Sequence, residues 1–534
     1  MALPLLLYAA VFAHLSFDAP ISDDFDVVLD EGMRMGDAHS LSQWIGIAFA
    51  QHNEHRIAVM RVAAWAMQLL GHVDFRLLAL IGDLSIVGIA VLLWAEYRRE
   101  VPAPLFAGAA FVLFQWSYFE ASLMASATLP NIGVVFFSFA CLYFALRGGA
   151  RAAAACVAFG LLATQSQANG LFALPLAAAG CAIAGRRGRA ALLAAIAIAA
   201  WALYFAHYAR PVGHPSPFAA MHEPLAAAHL FVVIVGGLHP GRWTPTAIGA
   251  VLLGVLAWLH RKGAWRAHPT AVLWIAFVFL SAAAAAVGRV GFGVFQASRY
   301  AIYPSCLAAI AFLAIAAIVV RWSAARMAGA IVAAAAFCAA VSWMNWPGAT
   351  SFSRAGHLLA KSVPASADVS AETYLWMLYP SPERARHILA EAQARALYSP
   401  RKIILHAPAL REVAAIPPSA PVVGDVDKVR ASGRRVTVEG WSAVPATVAR
   451  RALAVAPALG AVSFGGFTVV GRPDVAMTLG DAALLPSGFR FEIEYPTDDI
   501  ARRAARSLCL LSQAPDGAPQ ALARGGAPCA GHTR

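Results

Sequence analysis

Apolar runs of roughly 15 to 20 residues recur along this chain, separated by short basic or Gly/Pro-rich joints. They leave few architectures open. Within lipid no water is available to a backbone N–H or C=O, so a crossing segment must satisfy its own hydrogen bonds as a helix. Hydrophobic residues fill 60% of the 534 positions and charged residues 13%, and the mean hydropathy is +0.63. A soluble chain of this length does not carry such a balance. The expected fold class is mainly α, a polytopic transmembrane helix bundle of about eleven spans. The composition changes after Asn345, where charge and proline rise and long apolar runs cease.

The formal charge of +12 is spread over helix ends rather than gathered with aromatics in one patch, which argues against nucleic-acid binding. The basic joints instead report topology. They contain Arg98 and Arg99; Arg147 and Arg151; Arg186, Arg187 and Arg189; Arg261, Lys262 and Arg266; and Arg321 and Arg326. With all five joints on the cytoplasmic side and the N-terminus inside, the spans alternate, provided that residues 226–238 stay in the interface. The run from Ala2 to Phe17 has no basic lead and no small-residue cleavage site, so it reads as a retained, short first span.

The expected organisation is a transmembrane module over 1–344, with an acidic first outer loop at 18–56. An outer helical region follows over 345–421 and an outer β-sandwich-like domain over 422–534. Residues 355–397 read as helical, with "SPERARHILAEAQARAL" opening on a Ser-Pro start. Beyond Val422, "RRVTVEGWSAV", "RALAVAPAL", "GGFTVVG" and "GFRFEIEY" read as strands. Cys509 and Cys529 are a candidate disulfide of this outer domain. The remaining cysteines lie in or beside spans, where a small apolar side chain explains them.

Against the basic balance, Asp18, Asp23, Asp24, Asp26, Asp30, Glu31 and Asp37 crowd the stretch from Ser16 to Ser40. A carboxylate at the membrane surface can take a proton from an incoming hydroxyl or bind a divalent cation such as Mg2+ or Mn2+. The bland alternative is a solvated loop, or carboxylates and Ser40 capping the helices that follow. A second cluster is "QHNEHRIAVMRVAAW", read as Asn53, Glu54, His55 and Arg56 opening an amphipathic interfacial helix. The third is "GRVGFGVFQASRYAIYP", where Arg289 and Arg299 break the positive-inside pattern. Their planar donor forks suit phosphate; the alternatives are snorkelling or pairing with Asp26 or Glu54. Glu120 and Asn169 stand on smaller outer loops, as helix caps, interhelical bonds or cavity lining. Asp83 is the one acid expected deep in a span, where such residues are costly and paired or functional. The outer histidines show no regular ligand spacing.

The order of one N-terminal span, an outer loop opening with "DDFD", further amphipathic helices, many spans and a C-terminal outer domain resembles the C-type integral membrane glycosyltransferases (GT-C). "NEHRIAVMRV", "SQANGLFALP" and "FGVFQASRY" are similar to a largely uncharacterised bacterial group placed near them, and "VEGWSAV...GRPDVAM...LPSGFRFEI" to a β-rich module appended to such proteins. The resemblance implies a multi-pass enzyme of the bacterial inner membrane with its C-terminal domain outside. Such an enzyme moves a sugar from a polyprenyl-phosphate donor to an envelope glycan or glycolipid acceptor. It places the catalytic acid in DDFD, at Asp24 first, then Asp23 or Asp26. Glu54, His55, Arg56, Glu120, Asn169, Arg289 and Arg299 are the expected binding residues, with no certain cofactor. Competing readings are a transporter or flippase of lipid-linked sugars, a glycan polymerase or ligase, and a scaffold whose outer domain binds glycan.

Overall fold

Hydrophobic runs become helices here because helix formation is the only local way to close every backbone hydrogen bond. The computed structural model describes residues 2–211, 218–295, 297–319, 321–362, 379, 381–398, 423–443, 451–456, 461–467, 475, 487–494, 497–507, 509–513 and 520–521. Among them, seven helices are long and apolar enough to cross a membrane: Phe75–Tyr97, Ala125–Ala145, Arg187–Phe205, Trp243–Arg261, Pro269–Phe292, Ser298–Ile318 and Ala324–Thr350. Four shorter apolar helices accompany them: Ala2–Leu15, Ala150–Thr164, Ala168–Ile183 and Pro224–Val235. The chain is a multi-pass helical membrane protein. Outer faces remain apolar, as lipid permits: Leu80, Leu84 and Val91 are exposed on Phe75–Tyr97, and Leu192, Ile198 and Leu203 on Arg187–Phe205.

The chain divides into two compact units, Met1–Ser16 with Asp30–Trp346, and Phe17–Leu29 with Pro347–Arg534. In the first unit the basic joints meet. Arg147 Nη2 donates to Glu96 Oε2 at 2.8 Å, and His268 Nδ1 lies 3.7 Å from Glu96 Oε1. Arg186 Nη1 donates to Arg147 O at 3.0 Å, and Arg189 Nη2 to Gly149 O at 2.9 Å. These donors satisfy carbonyls left open at a helix end and suit its negative pole. Charge that marks topology also closes one end of the bundle.

Small residues set the tightest crossings. A side chain at Gly236 would overlap the Pro245 carbonyl, and one at Gly249 would overlap the Val232 carbonyl. Pro224–Val235 and Trp243–Arg261 therefore touch nearly backbone to backbone, as small residues allow between membrane helices. Asp83 shows how a span tolerates an acid. It is 4% exposed, and Tyr8 Oη donates to its Oδ2 at 2.8 Å while lying 2.8 Å from Ser122 Oγ. Tyr8 also stacks on Trp116 with ring centroids 4.8 Å apart. The short first helix is thereby tied to the middle of Phe75–Tyr97.

A second polar lock was hidden within an apolar pattern. Arg61, on the helix Ala58–Leu69, is fully buried. Its Nη2 donates to Glu31 Oε1 at 2.8 Å, its Nε to Glu31 Oε2, and its Nη1 to the Ala48 and Ala50 carbonyls. An arginine amid a helical apolar run was the available signal, because burial requires such a partner.

The reading of Asn53 to Arg56 as the opening of a helix is corrected. Strands β1 (Gln51–His52) and β2 (His55–Arg56) pair as a small antiparallel hairpin, turned by Asn53 at φ +49°, and the helix begins at Ala58. Arg56 is drawn out of the helix by its acceptors: it donates to the Tyr204 and Ala206 carbonyls at 2.6 Å each, and to the Phe49 carbonyl. Ser40, rather than Asp37, caps Leu41–Ala48, accepting from Gln43 N at 3.2 Å.

In the second unit Pro382–Ala394 opens as its Ser-Pro start implies, with Ser381 Oγ accepting from Arg384 N at 3.4 Å. Further on lie two antiparallel sheets, β3-β4-β7 (Val423–Ser432, Arg435–Ala443, Gly488–Glu494) and β6-β5-β8-β9 (Ala461–Phe467, Arg451–Ala456, Cys509–Gln513, Gln520–Ala521). A helix, Asp498–Ser507, precedes β8 and carries Asp498 and Asp499 in its first turn, where the dipole favours them. Cys529 lies outside the described residues, and with it the candidate disulfide. Cys141, Cys156, Cys181 and Cys306 are buried free thiols.

Two substitutions test this packing. Gly249→Leu should lower the detergent-solubilised protein's thermal stability by about 1 to 3 kcal/mol, whereas Gly254→Leu, which meets nothing within 4 Å, should leave the melting temperature unchanged. Glu31→Gln should cost about 3 to 5 kcal/mol by stranding Arg61, and the double replacement Glu31→Leu with Arg61→Met should recover most of that loss in the same melting assay.

Candidate functional site

The acidic stretch is ordered rather than solvated. Ser22 adopts φ +52°, a left-handed conformation that a non-glycine residue holds only when its surroundings impose it. The turn it makes lets Asp24 Oδ2 accept the Ile21 N–H at 3.1 Å, and Asp24 is 0% exposed. Phe25–Asp30 then forms a wide π-helical turn, with Phe25, Val27, Val28 and Leu29 buried. Asp23 is half-exposed. Within the second unit, Asp26 faces residues from far along the chain. Its Oδ1 accepts from Arg384 Nε at 3.0 Å and Nη2 at 2.7 Å, and its Oδ2 accepts from Tyr379 Oη at 2.6 Å. Arg384 Nε is also 3.1 Å from Tyr379 Oη.

Burial and the hydrogen bond to Asp26 push the Tyr379 hydroxyl up to about 12. Asp26 likewise holds the Arg384 guanidinium above its ordinary value. Tyr398 is buried, with its Oη donating to the Asp18 carbonyl at 3.1 Å, and burial followed by the charges of Asp18 and Asp24 raises it. Phe25 packs against Tyr379 with ring centroids 5.4 Å apart, and Phe17 against Phe352 at 5.9 Å. Three polar residues beyond Pro347 thus hold the DDFD segment. Sequence reasoning missed Tyr379, Arg384 and Tyr398, since nothing local links them to residues 18–26.

Within the first unit a second polar group assembles from four separate stretches. The hairpin presents Glu54 and His55. His55 Nδ1 accepts from Ala168 N at 3.4 Å, and its Nε2 lies 3.7 Å from Glu54 Oε1. Glu54 Oε1 pairs with Arg289 Nη2 at the C-terminal end of Pro269–Phe292, the end opposite His268. Arg289 sits over the Phe292 ring at 5.7 Å, and Arg299 over the Tyr300 ring at 5.5 Å. The Tyr300 hydroxyl makes side-chain hydrogen bonds with both arginines. Of the two pairings weighed for Arg289, the one with Glu54 is present.

Asn169 extends this group inward. Its Nδ2 donates to Tyr303 Oη at 3.0 Å and Ser281 Oγ at 3.1 Å, while its buried Oδ1 has no hydrogen-bond partner among the described residues. Tyr303 stacks on Tyr300 at 6.3 Å. Gln167 Nε2 donates to Asn131 Oδ1 at 3.3 Å, and Glu120 N to Ser298 Oγ at 3.2 Å, beside the turn that carries Arg299. Glu54, His55, Asn169, Arg289 and Arg299 therefore belong to one neighbourhood, with Glu120 flanking it. Arg56 directs its donors to backbone carbonyls instead. The group brings the donor forks of Arg289 and Arg299 together at Tyr300, and such forks suit an anion with several oxygens. Among the described residues no group of three or more His, Cys, Asp and Glu side chains is placed to hold a metal ion.

No family model and no curated protein matches the chain. Among solved structures it is similar to ArnT from Cupriavidus metallidurans in the apo state, at 15% identity and a TM-score of 0.41 over 74% of each chain. A likeness of that degree assigns neither a substrate nor a residue role.

Proposed function

We propose that this protein is a membrane glycosyltransferase that moves a sugar from a polyprenyl-phosphate donor to an envelope glycan or glycolipid on the extracytoplasmic side. The observation that carries the reading is the convergence of Arg289 and Arg299 on Tyr300, opposed by Glu54, at the helix end opposite the basic joints. Arginines there go against the topological charge pattern and need an anionic reason. A lipid-linked phosphate supplies one, and the apolar helices around it suit the carrier's tail.

Arg289 and Arg299 stabilise negative charge on the departing phosphate oxygen, and Tyr300 orients both donor forks. Asn169, with its open carbonyl oxygen, is a hydrogen-bond acceptor for a sugar hydroxyl. The general base of this reading is a carboxylate of the DDFD segment, Asp24 first and then Asp23 or Asp26, which takes the proton of the attacking hydroxyl. The acceptor oxygen bonds the anomeric carbon as the carbon–oxygen bond to phosphate breaks, and the proton passes to the carboxylate. A single displacement of this kind inverts the anomeric configuration.

The test is mass spectrometry of envelope glycolipids and polysaccharides from cells carrying the intact protein, a deletion, Asp24→Asn, Asp23→Asn or Arg299→Gln at matched expression. The deletion and at least one acid variant should lose the same sugar while lipid-linked donor accumulates. Arg299→Gln should reduce the product by about 10- to 100-fold, the scale of one lost charged hydrogen bond. Unchanged glycolipids in the deletion and in every acid variant would remove the transferase reading.

A further inference from the structure

Asp26 is held by two residues from far along the chain. Both carboxylate oxygens are occupied, one by two donors of Arg384 and the other by the Tyr379 hydroxyl. A carboxylate so engaged is fixed in position by charge-assisted bonds. Asp24 and Asp23, two and three residues earlier, sit beside the strained Ser22. The segment thus has a fixed point and a strained approach to it.

We propose that Arg384 and Tyr379 are positioning residues, and that Asp26 is the anchor by which they hold the acidic segment so that Asp23 or Asp24 acts as the base. This rests on the transferase reading above, and it gives residues beyond Pro347 a part in the reaction. Four observations within the second unit support it. The two donors on Oδ1 and the one on Oδ2 define the carboxylate plane, which a single contact would not. Phe25, the residue before the anchor, packs its ring on Tyr379, so the same side chain grips the segment through both a polar and an apolar contact. Tyr398 pins the backbone at Asp18, eight positions upstream of Asp26, so the turn containing Ser22, Asp23 and Asp24 is held at both ends. Gly356 completes the seat, since a side chain there would overlap the Phe17 ring. Lysine cannot reproduce the Arg384 contact, because it has no planar fork.

The experiment uses the full-length protein in detergent and in cells, with variants Arg384→Gln, Arg384→Lys, Tyr379→Phe, Asp23→Asn and Asp24→Asn. Hydrogen exchange of residues 17–29 is followed by mass spectrometry, alongside the cellular glycolipid product. Exchange elsewhere in the chain and the melting temperature report folding. Arg384→Gln should speed exchange in 17–29 by about tenfold and lower the product by about 10- to 100-fold, the cost of misplacing a catalytic group by about 1 Å. Arg384→Lys and Tyr379→Phe should fall between it and the wild type on both readouts, whereas the acid variants should lose product without faster exchange. Retained product in Arg384→Gln despite faster exchange would overturn the proposal, as would lost product with unchanged exchange, which would make Arg384 a substrate contact. If Arg384→Gln disturbs the whole chain, Tyr379→Phe decides on the same two criteria. If neither acid variant nor the deletion changes the product, the transferase reading itself fails, an outcome distinct from failure of the anchor alone.

Discussion

The structure depends on one constraint: in lipid every polar group needs a partner within the protein. Backbone groups meet it by forming helices, and buried side chains meet it one at a time. Asp83 accepts from Tyr8, Arg61 is gripped by Glu31 and two carbonyls, and Glu96 by Arg147. Each of these contacts joins segments far apart in sequence, so each is also a statement about topology. A charge with no water to retreat to becomes a fastener.

That constraint sharpens the meaning of the polar groups that fasten least. At the end of the bundle away from the basic joints, Arg289 has Glu54, and Arg299 is exposed and stands over Tyr300. The buried Asn169 oxygen has no hydrogen-bond partner among the described residues. The second unit presents the complementary case. Its acids are not spread through solvent but bent around Ser22, a left-handed residue, and moored at Asp26. Strain and incomplete pairing are the features expected where binding or chemistry completes what the fold leaves open.

Much of this was legible before any coordinates. Hydropathy and the positive joints fixed the helical bundle, because the bilayer imposes length and charge rules that act residue by residue. Ser381-Pro382 announced its helix through local capping chemistry, and β4, β5 and β7 through alternation. Arg289 and Arg299 stood out because they violate a rule, and violations are visible in sequence. What stayed hidden was pairing across distance. Arg384 and Tyr379 lie more than 350 positions from Asp26, and no periodicity encodes that meeting. The hairpin at Gln51–Arg56 was mistaken for a helix start because its two-residue strands are too short for alternation to register. Only the carbonyls of Tyr204 and Ala206, from another segment, explain why Arg56 turns away.

Sugar transfer breaks a carbon–oxygen bond to phosphate. That cleavage is tested most directly by placing the full-length protein in vesicles made from total membrane lipid of the deletion strain, with its glycolipid acceptors, and following free polyprenyl phosphate by mass spectrometry. A transferase should give a steady release of polyprenyl phosphate matched by a newly glycosylated acceptor of inverted anomeric configuration. Redistribution of intact lipid-linked sugar between leaflets, with no polyprenyl phosphate released, would contradict sugar transfer and make the protein a carrier of its lipid rather than a transferase.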